Sequence, residues 1–392
     1  MLISIALILS VGLLLGWLCK KVRFPSLFGM IIGGIVIGSY GLNLIDGSVL
    51  DISAELRRIA LIIILIRAGL KLDLRDLKKV GRPAVLMCFL PACFEIIGMV
   101  LLAPMLLGIS LLDAAIMGAV VGAVSPAVIV PRMIKLIDDG YGTERGIPQM
   151  ILAGASVDDV FVIVMFTTFT GLAQGEGVSV MRFVNIPVSV ILGVLGGLTI
   201  GWMLSKWFSL AHIRDTVKIV ILMSVAFALV TLEDALPIPF AALIAVMSVG
   251  VELKREKSEL TVKISESFDE LWVVAEIFLF VLVGASVSID TAASAGVSAA
   301  VLVFGALAFR MAGVYLCLLG TKLSRKERLF CMIAYTPKAT VQAAIGGLPL
   351  AMGLGCGEIV LTVSVISILL TAPLGAFGID LTYKQFLNRI ET

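Results

Sequence analysis

Apolar stretches of membrane-spanning length follow one another along this chain with only short polar connectors between them. Hydrocarbon offers no water to the backbone, so each stretch must satisfy its own N–H and C=O groups, which a helix of ~20 residues does within one segment. With 60% hydrophobic and 15% charged residues, the 392-residue chain reads as an all-α integral membrane protein rather than a soluble globule. Thirteen spans are expected, at about 2–19, 26–45, 56–70, 83–107, 111–133, 147–172, 186–206, 216–233, 237–252, 270–288, 297–320, 328–350 and 357–378. The first lacks a basic n-region and a small-residue cleavage site, so it is expected to be a retained helix. Six cysteines, all in or beside apolar stretches and without zinc or disulfide spacing, read as small buried hydrophobes. Ser110-Leu-Leu-Asp113 has the pattern of a capping box opening span five.

The basic residues give an orientation. Of the 30 Lys and Arg, 24 fall after odd-numbered spans, and only Arg57, Arg58 and Arg182 fall after even-numbered ones. By the positive-inside rule the N-terminus lies outside and the C-terminus in the cytoplasm of a multi-pass protein of the cell membrane. Arg67, Arg310 and Lys338 lie within spans; Arg67 is one turn from a span end and is expected to snorkel.

Two carboxylates, Asp158 and Asp159, stand side by side in the middle of the stretch 147–172. At ~1.5 Å per residue they lie about 15 Å deep, near the midplane. An aspartate there costs roughly 2.5–3.5 kcal/mol even on the lenient insertion scale. Two valines would fill the same space, so packing does not account for them. They point to a polar cavity at half depth that handles protons, cations or both.

A hidden repeat frames that cavity. Gly69 and Gly284 are 215 positions apart, as are Glu95 and Arg310, while Pro25 and Pro239 differ by 214. Two halves of six spans separated by one odd span have opposite topology, the architecture of secondary transporters. The expected organisation is one membrane transporter domain over 1–378, with repeat one at about 1–172, a linker helix at about 186–206 and repeat two at about 216–378. Residues 379–392 form a short cytoplasmic tail. Corresponding spans five and twelve each carry an internal proline, Pro126 and Pro337. Such a proline frees a backbone group and clashes with the preceding turn, which predicts two crossing broken helices around a cavity. Glu95 and Arg310, repeat mates of opposite sign, read as a structural ion pair, with direct proton carriage as the alternative. Lys338 directly follows Pro337 and is expected to compensate broken-helix carbonyl ends or to pair with an aspartate.

The motifs Ile66-Arg-Ala-Gly-Leu-Lys-Leu-Asp73, Ala123-Val-Ser-Pro-Ala-Val-Ile-Val-Pro131, Gly154-Ala-Ser-Val-Asp-Asp-Val160 and Thr336-Pro-Lys-Ala-Thr-Val-Gln-Ala-Ala344 resemble those of the cation:proton antiporter superfamily. Within it they are similar to the sodium/proton antiporters of the NHA type, animal members and bacterial relatives, over nearly the whole chain. The resemblance implies an NhaA-like fold, a homodimer, and a mobile core of crossing helices that exchanges Na⁺ or Li⁺ for H⁺. It implies Asp159 as the main ion-binding carboxylate, Asp158 as the partner of Lys338, and Glu95 and Arg310 as an ion pair.

Donor chemistry fits this independently. Na⁺ is a hard cation that takes several oxygens, and Asp158, Asp159, Ser125 and freed span-five carbonyls are available, with Ser156 as a further candidate. A carboxylate that holds either a proton or a cation turns exchange into competition at one site. No ATP-binding loop, cofactor motif or nucleic-acid feature is present, so the expected partners are Na⁺, Li⁺, H⁺ and membrane lipid, with no enzymatic activity. K⁺/H⁺ exchange on the same fold is the nearest alternative, ahead of a channel. An intramembrane aspartyl protease needs carboxylates from two helices, whereas neighbours on one helix point about 100° apart. Stoichiometry turns on Lys338: a labile lysine, which the desolvating midplane permits, gives the electrogenic cycle expected here, and one that stays protonated gives an electroneutral one, toward which the NHA resemblance points. His212 reads as a solvated loop residue, and Glu276 as either an inner gate or a packing residue.

Overall fold

The structure is a computed structural model that describes residues 1–22, 24–71, 81–174, 180–210, 214–235, 240–255 and 259–389. Asp73, His212 and Pro239, and the side chains of Ser156 and Arg182, lie outside the described residues. Among the described residues every regular element is helical. The first nine helices are α1 (Leu2–Lys21), α2 (Ser26–Ile37), α3 (Gly47–Asp51), α4 (Ser53–Lys71), α5 (Arg82–Met87), α6 (Leu90–Leu107), α7 (Leu111–Val121), α8 (Pro126–Asp138) and α9 (Ile147–Ala173). They are followed by α10 (Val180–Leu210), α11 (Asp215–Ala235), α12 (Ala242–Arg255), α13 (Glu259–Ala285), α14 (Ile289–Cys317), α15 (Arg325–Ala334), α16 (Thr340–Ile345), α17 (Leu348–Ala351) and α18 (Gly357–Phe386). Eight helical stretches of the described residues are long and apolar enough to cross a membrane.

Predicted spans five and twelve are interrupted. Span five is α7 and α8, parted at 122–125, and span twelve is α15, α16 and α17. Span four is also divided, at Cys88–Phe89, which the sequence reading did not anticipate. Pro91 supplies the cause: it lacks an N–H and its ring would crowd the carbonyl four residues earlier, at Met87. Ser110 caps α7 as expected, its hydroxyl accepting from the Asp113 N–H at 3.1 Å. All six cysteines are free, and Cys88, Cys317, Cys331 and Cys356 are buried.

The chain forms two compact units. One comprises Met1–Arg57, Arg75–Gln174 and Ile277–Thr392; the other comprises Arg58–Leu74 and Gly175–Glu276. In the second unit α10 lies along α12, and the contact is built from small residues. A Cβ on Gly193 would meet the Ala241 carbonyl, one on Gly197 the Ala245 carbonyl, and one on Gly201 the Val249 carbonyl. Four-residue spacing puts these glycines on one helix face, and backbones in a membrane pack closely where side chains are missing. Gly197→Val should therefore force the two helices apart, at a cost of about 1–3 kcal/mol. A melt of the purified protein in detergent should show a clear fall in midpoint, and an unchanged midpoint would mean that this contact does not hold the unit together.

Arg67, expected to snorkel, instead meets Asp269 within the same unit, and Lys71 Nζ reaches the same carboxylate at 2.6 Å. Burial pushes the Asp269 carboxyl up, but hydrogen bonds from Lys71 and Arg67 outweigh it and hold the group below its ordinary range.

In the first unit α6 crosses α14 with a reciprocal contact. A Cβ on Gly98 would lie 3.1 Å from Phe309 Cβ, and one on Gly313 would lie 3.1 Å from Phe94 Cβ. This crossing positions the site, because Glu95 and Arg310 sit on the same two helices.

Candidate ion-binding site

The site is assembled where two helices fail. α7 stops at Val121, the chain runs without helical bonding through Gly122 to Ser125, and α8 restarts at Pro126, which needs no N–H at its first position. α15 stops at Ala334, and the chain is non-helical through Pro337 and Lys338 before α16 starts at Thr340. The two breaks touch backbone to backbone: the Ser125 N–H donates to the Pro337 carbonyl at 2.8 Å. Gln342 stitches them a second time. Its Nε2 donates to Val121 O at 3.1 Å and Ala123 O at 2.8 Å, while its Oε1 accepts from the Ala339 N–H at 2.8 Å. These bonds satisfy backbone groups that the breaks would otherwise strand in a dry interior.

Arg310, fully buried, is the hub. Its Nε donates to Tyr335 O at 2.8 Å, one terminal nitrogen to Glu95 Oε2 at 2.9 Å and also to Gly122 O, and the other to Asp158 Oδ2 at 2.6 Å. The guanidinium thus closes the carbonyl ends of both broken helices and holds two carboxylates. A planar group with five donors suits that task, and a lysine ammonium does not. The guanidinium also lies 5.5 Å from the Tyr335 ring centroid.

Lys338 has a different partner from the one expected. Its Nζ lies 2.5 Å from Glu95 Oε2, and its backbone N–H donates to Thr371 Oγ1 at 2.9 Å. Asp158 belongs instead to Arg310 and to the Val124 N–H, which reaches Asp158 Oδ2 at 2.9 Å. Arg310, rather than Lys338, compensates the broken-helix ends. The reason is reach: the Arg310 fork spans four acceptors on four chain segments, whereas Lys338 leaves its own break toward α6.

Glu95, Asp158, Arg310 and Lys338 are each at most 1% exposed and make two anions and two cations in mutual contact. Asp159 is left over. It is 6% exposed, forms no ion pair among the described residues, and its Oδ1 has no hydrogen-bond partner. Asp158 Oδ1, Ser125 Oγ and Thr340 Oγ1 are likewise buried without a partner. Oxygen atoms with free lone pairs, one of them on an unbalanced carboxylate, are what a hard monovalent cation or a proton requires. The sequence reading missed Gln342, Thr371 and Thr340. For Gln342 the signal was present, a lone amide in a stretch that is otherwise almost wholly apolar.

Two interrupted helices meeting at their breaks around buried carboxylates, in an all-helical membrane protein, define a secondary transporter rather than an enzyme. The chain belongs to the sodium/hydrogen exchanger family: the description "Sodium/hydrogen exchanger, transmembrane" matches residues 6–384. Human sodium/hydrogen exchanger 9B2 is 34% identical over 388 residues, covering 94% of this chain and 70% of the human protein. Human sodium/hydrogen exchanger 9B1 is 31% identical over 382 residues, covering 93% and 73%. The solved structure of the sodium proton antiporter MjNhaP1 from Methanocaldococcus jannaschii superposes with a TM-score of 0.86 over 97% of each chain at 21% identity, and so shares the fold.

Proposed function

We propose that this protein exchanges Na⁺ for H⁺ by letting the two compete for Asp159, with Asp158 Oδ1 and Ser125 Oγ as further ligands when Na⁺ is bound. As a member of a transporter family it needs no cofactor; the ions are its substrates. The observation that carries the site assignment is the buried Asp159 carboxylate without an ion pair among the described residues, with partnerless oxygens on Asp158 and at both breaks and with four further charges that already neutralise one another. Li⁺, smaller and equally hard, is a second substrate on this reading, and K⁺ the ion to be tested against them.

The proposed architecture is thirteen spans in two inverted six-helix repeats over 1–172 and 216–378, a linker helix at about 186–206 and a tail at 379–392. Several contacts support the repeats. Glu95 and Arg310, Phe94 and Phe309, and Gly98 and Gly313 are each 215 positions apart, and across the α6–α14 crossing Glu95 pairs with Arg310, Gly98 faces Phe309 and Gly313 faces Phe94. The capping serines Ser110 and Ser324 stand 214 apart. Gly34 would meet Val281 O and Gly284 would meet Ile31 O, while Gly69 would meet Met247 O and Gly250 would meet Ile66 O. Each glycine pair is thus the image of the other, with Gly34 and Gly250 216 positions apart and Gly69 and Gly284 215. Alternating access through a mobile core, a homodimer, contact with membrane lipid, and a cytoplasmic C-terminus complete the proposal.

The charge pattern reverses the stoichiometry favoured from sequence. Lys338 is held by Glu95 and stays outside the competition, so replacing one H⁺ by one Na⁺ on Asp159 leaves the net charge of the site unchanged. Exchange is then one for one and electroneutral. In proteoliposomes with an internal pH dye, Na⁺ and Li⁺ should collapse an imposed pH gradient and K⁺ should not. An imposed voltage without an ion gradient should drive no Na⁺ flux. Voltage-driven flux would refute the electroneutral cycle, and a K⁺ response equal to that of Na⁺ would refute the ion assignment.

A further inference from the structure

A second polar feature lies within the first unit, at the ends of connectors that the ion site does not use. Three connectors that follow odd-numbered spans converge there: the start of α5, the α8–α9 link and the α14–α15 link. Together they enclose a cleft of about 470 Å³. Pro83, Met150 and Leu323 give it an apolar wall, and Arg145, Lys322, Thr321 and Glu144 a polar one.

The charges of the cleft do not cancel. Arg145 is already engaged, donating to Glu327 Oε2 at 2.8 Å and to Lys322 O at 2.6 Å. Glu327 is fully committed as well, since its carboxylate also accepts from the Ser324 N–H in the capping box of α15. Lys322 is exposed and its ammonium has no carboxylate partner among the described residues. Arg82 is also exposed, and a Cβ on Gly320, next to the cleft wall, would lie 3.8 Å from its terminal nitrogen. Arg328 donates to the carbonyl of the wall residue Thr321 at 3.1 Å and keeps a buried Nε–H without an acceptor. Lys322 thus lines the cleft, Arg82 and Arg328 flank it, and Glu144 is the one carboxylate among its described lining residues, which leaves an excess of positive charge in and beside a cavity of the size that small-molecule sites occupy.

We propose that this cleft holds the phosphate-bearing headgroup of an anionic phospholipid from the leaflet that faces these connectors. A phosphodiester satisfies fork-shaped guanidinium donors and a lysine point charge together. The apolar wall of Pro83, Met150 and Leu323 favours a lipid over free phosphate, because glycerol and acyl carbons pack there while the headgroup meets the cations. Basic pockets among membrane helices recognise headgroups on this physical basis. A lipid so placed braces the link that leads into α9, which carries Asp158 and Asp159, and the link that leads into α15 and its break. Binding does not depend on the ion assignment, and the readout that decides it is a melting midpoint.

The test is a thermal-shift titration of the purified full chain in detergent with phosphatidylglycerol, phosphatidylcholine or inorganic phosphate. Phosphatidylglycerol should raise the melting midpoint, and the other two should leave it unchanged. Arg82→Gln combined with Lys322→Gln should move the half-saturating lipid concentration upward by at least about tenfold, from an attraction of roughly 1 kcal/mol per basic residue. The same double variant should exchange ions at the wild-type rate in neutral vesicles. Should it fail to fold, Lys322→Gln alone, at an exposed side chain, should still give a shift of about fivefold. A midpoint that ignores phosphatidylglycerol, or a lipid response untouched by Lys322→Gln, overturns the proposal. An equal rise with inorganic phosphate also overturns it, as adventitious anion binding.

Discussion

Asp159→Asn should abolish Na⁺-dependent proton movement, by several orders of magnitude, while the protein remains folded and at least as stable as the wild type. The two halves of that result have one cause. The Asp159 carboxylate is buried and forms no ion pair among the described residues, so its charge is a standing cost of roughly 2.5–3.5 kcal/mol near the midplane. An amide of the same shape removes the charge and with it that cost. It also removes the group that the proposal assigns to the proton and the cation, a buried carboxylate of the site without an ion pair among the described residues. Asp158→Asn should behave differently, since its Oδ2 is held by Arg310 and the Val124 N–H. That variant should lose stability as well as exchange. The comparison needs a melt in detergent beside a proteoliposome assay for each variant. Wild-type exchange by Asp159→Asn would end the assignment of that residue, and a large loss of stability would show that its charge is paired.

Much of this site was legible in the sequence, and the parts that were not have a common physical character. Asp158 and Asp159 announce themselves because charge in hydrocarbon is expensive enough to require a reason. Pro126 and Pro337 announce the breaks because proline forbids a helical bond wherever it stands inside a helix. Each of these signals is local. Partner choice is not local: whether Lys338 reaches Asp158 or Glu95 depends on where α6, α9 and the break of α15 lie in space. The residues concerned are up to 243 positions apart. The family resemblance offered Asp158 for Lys338, and this chain places Arg310 there instead. Gln342 shows a different limit. Its cost in an apolar stretch was visible, but its two carbonyl acceptors belong to the other half of the chain. The break before Pro91 was overlooked because an apolar run with one proline at its start and another two turns on also fits one bent helix.

Arg310→Ala should be the most destabilising single change in the site, by at least the roughly 3–5 kcal/mol expected when one partner of a buried pair is removed. Two accounts of Arg310 predict different outcomes for a double variant. If it serves only as the counter-charge of Glu95, then Glu95→Gln with Arg310→Ala should recover much of the single loss, because both charges have gone. The geometry says otherwise. Arg310 also holds Asp158 Oδ2, Gly122 O and Tyr335 O, so its removal strands a second carboxylate and the carbonyl ends of both broken helices. Glu95→Gln repairs none of these, and it deprives Lys338 of its carboxylate partner. The double variant should therefore melt no higher than Arg310→Ala. Arg310→Lys should rescue little, since one ammonium keeps the charge but cannot span four acceptors. Neutralising Lys338 along with Glu95 should be milder, because that pair leaves together and the backbone stitching of the breaks by Gln342 remains. Detergent melts of these variants decide between the accounts, and recovery in the Glu95→Gln, Arg310→Ala double variant would reduce Arg310 to a simple counter-ion.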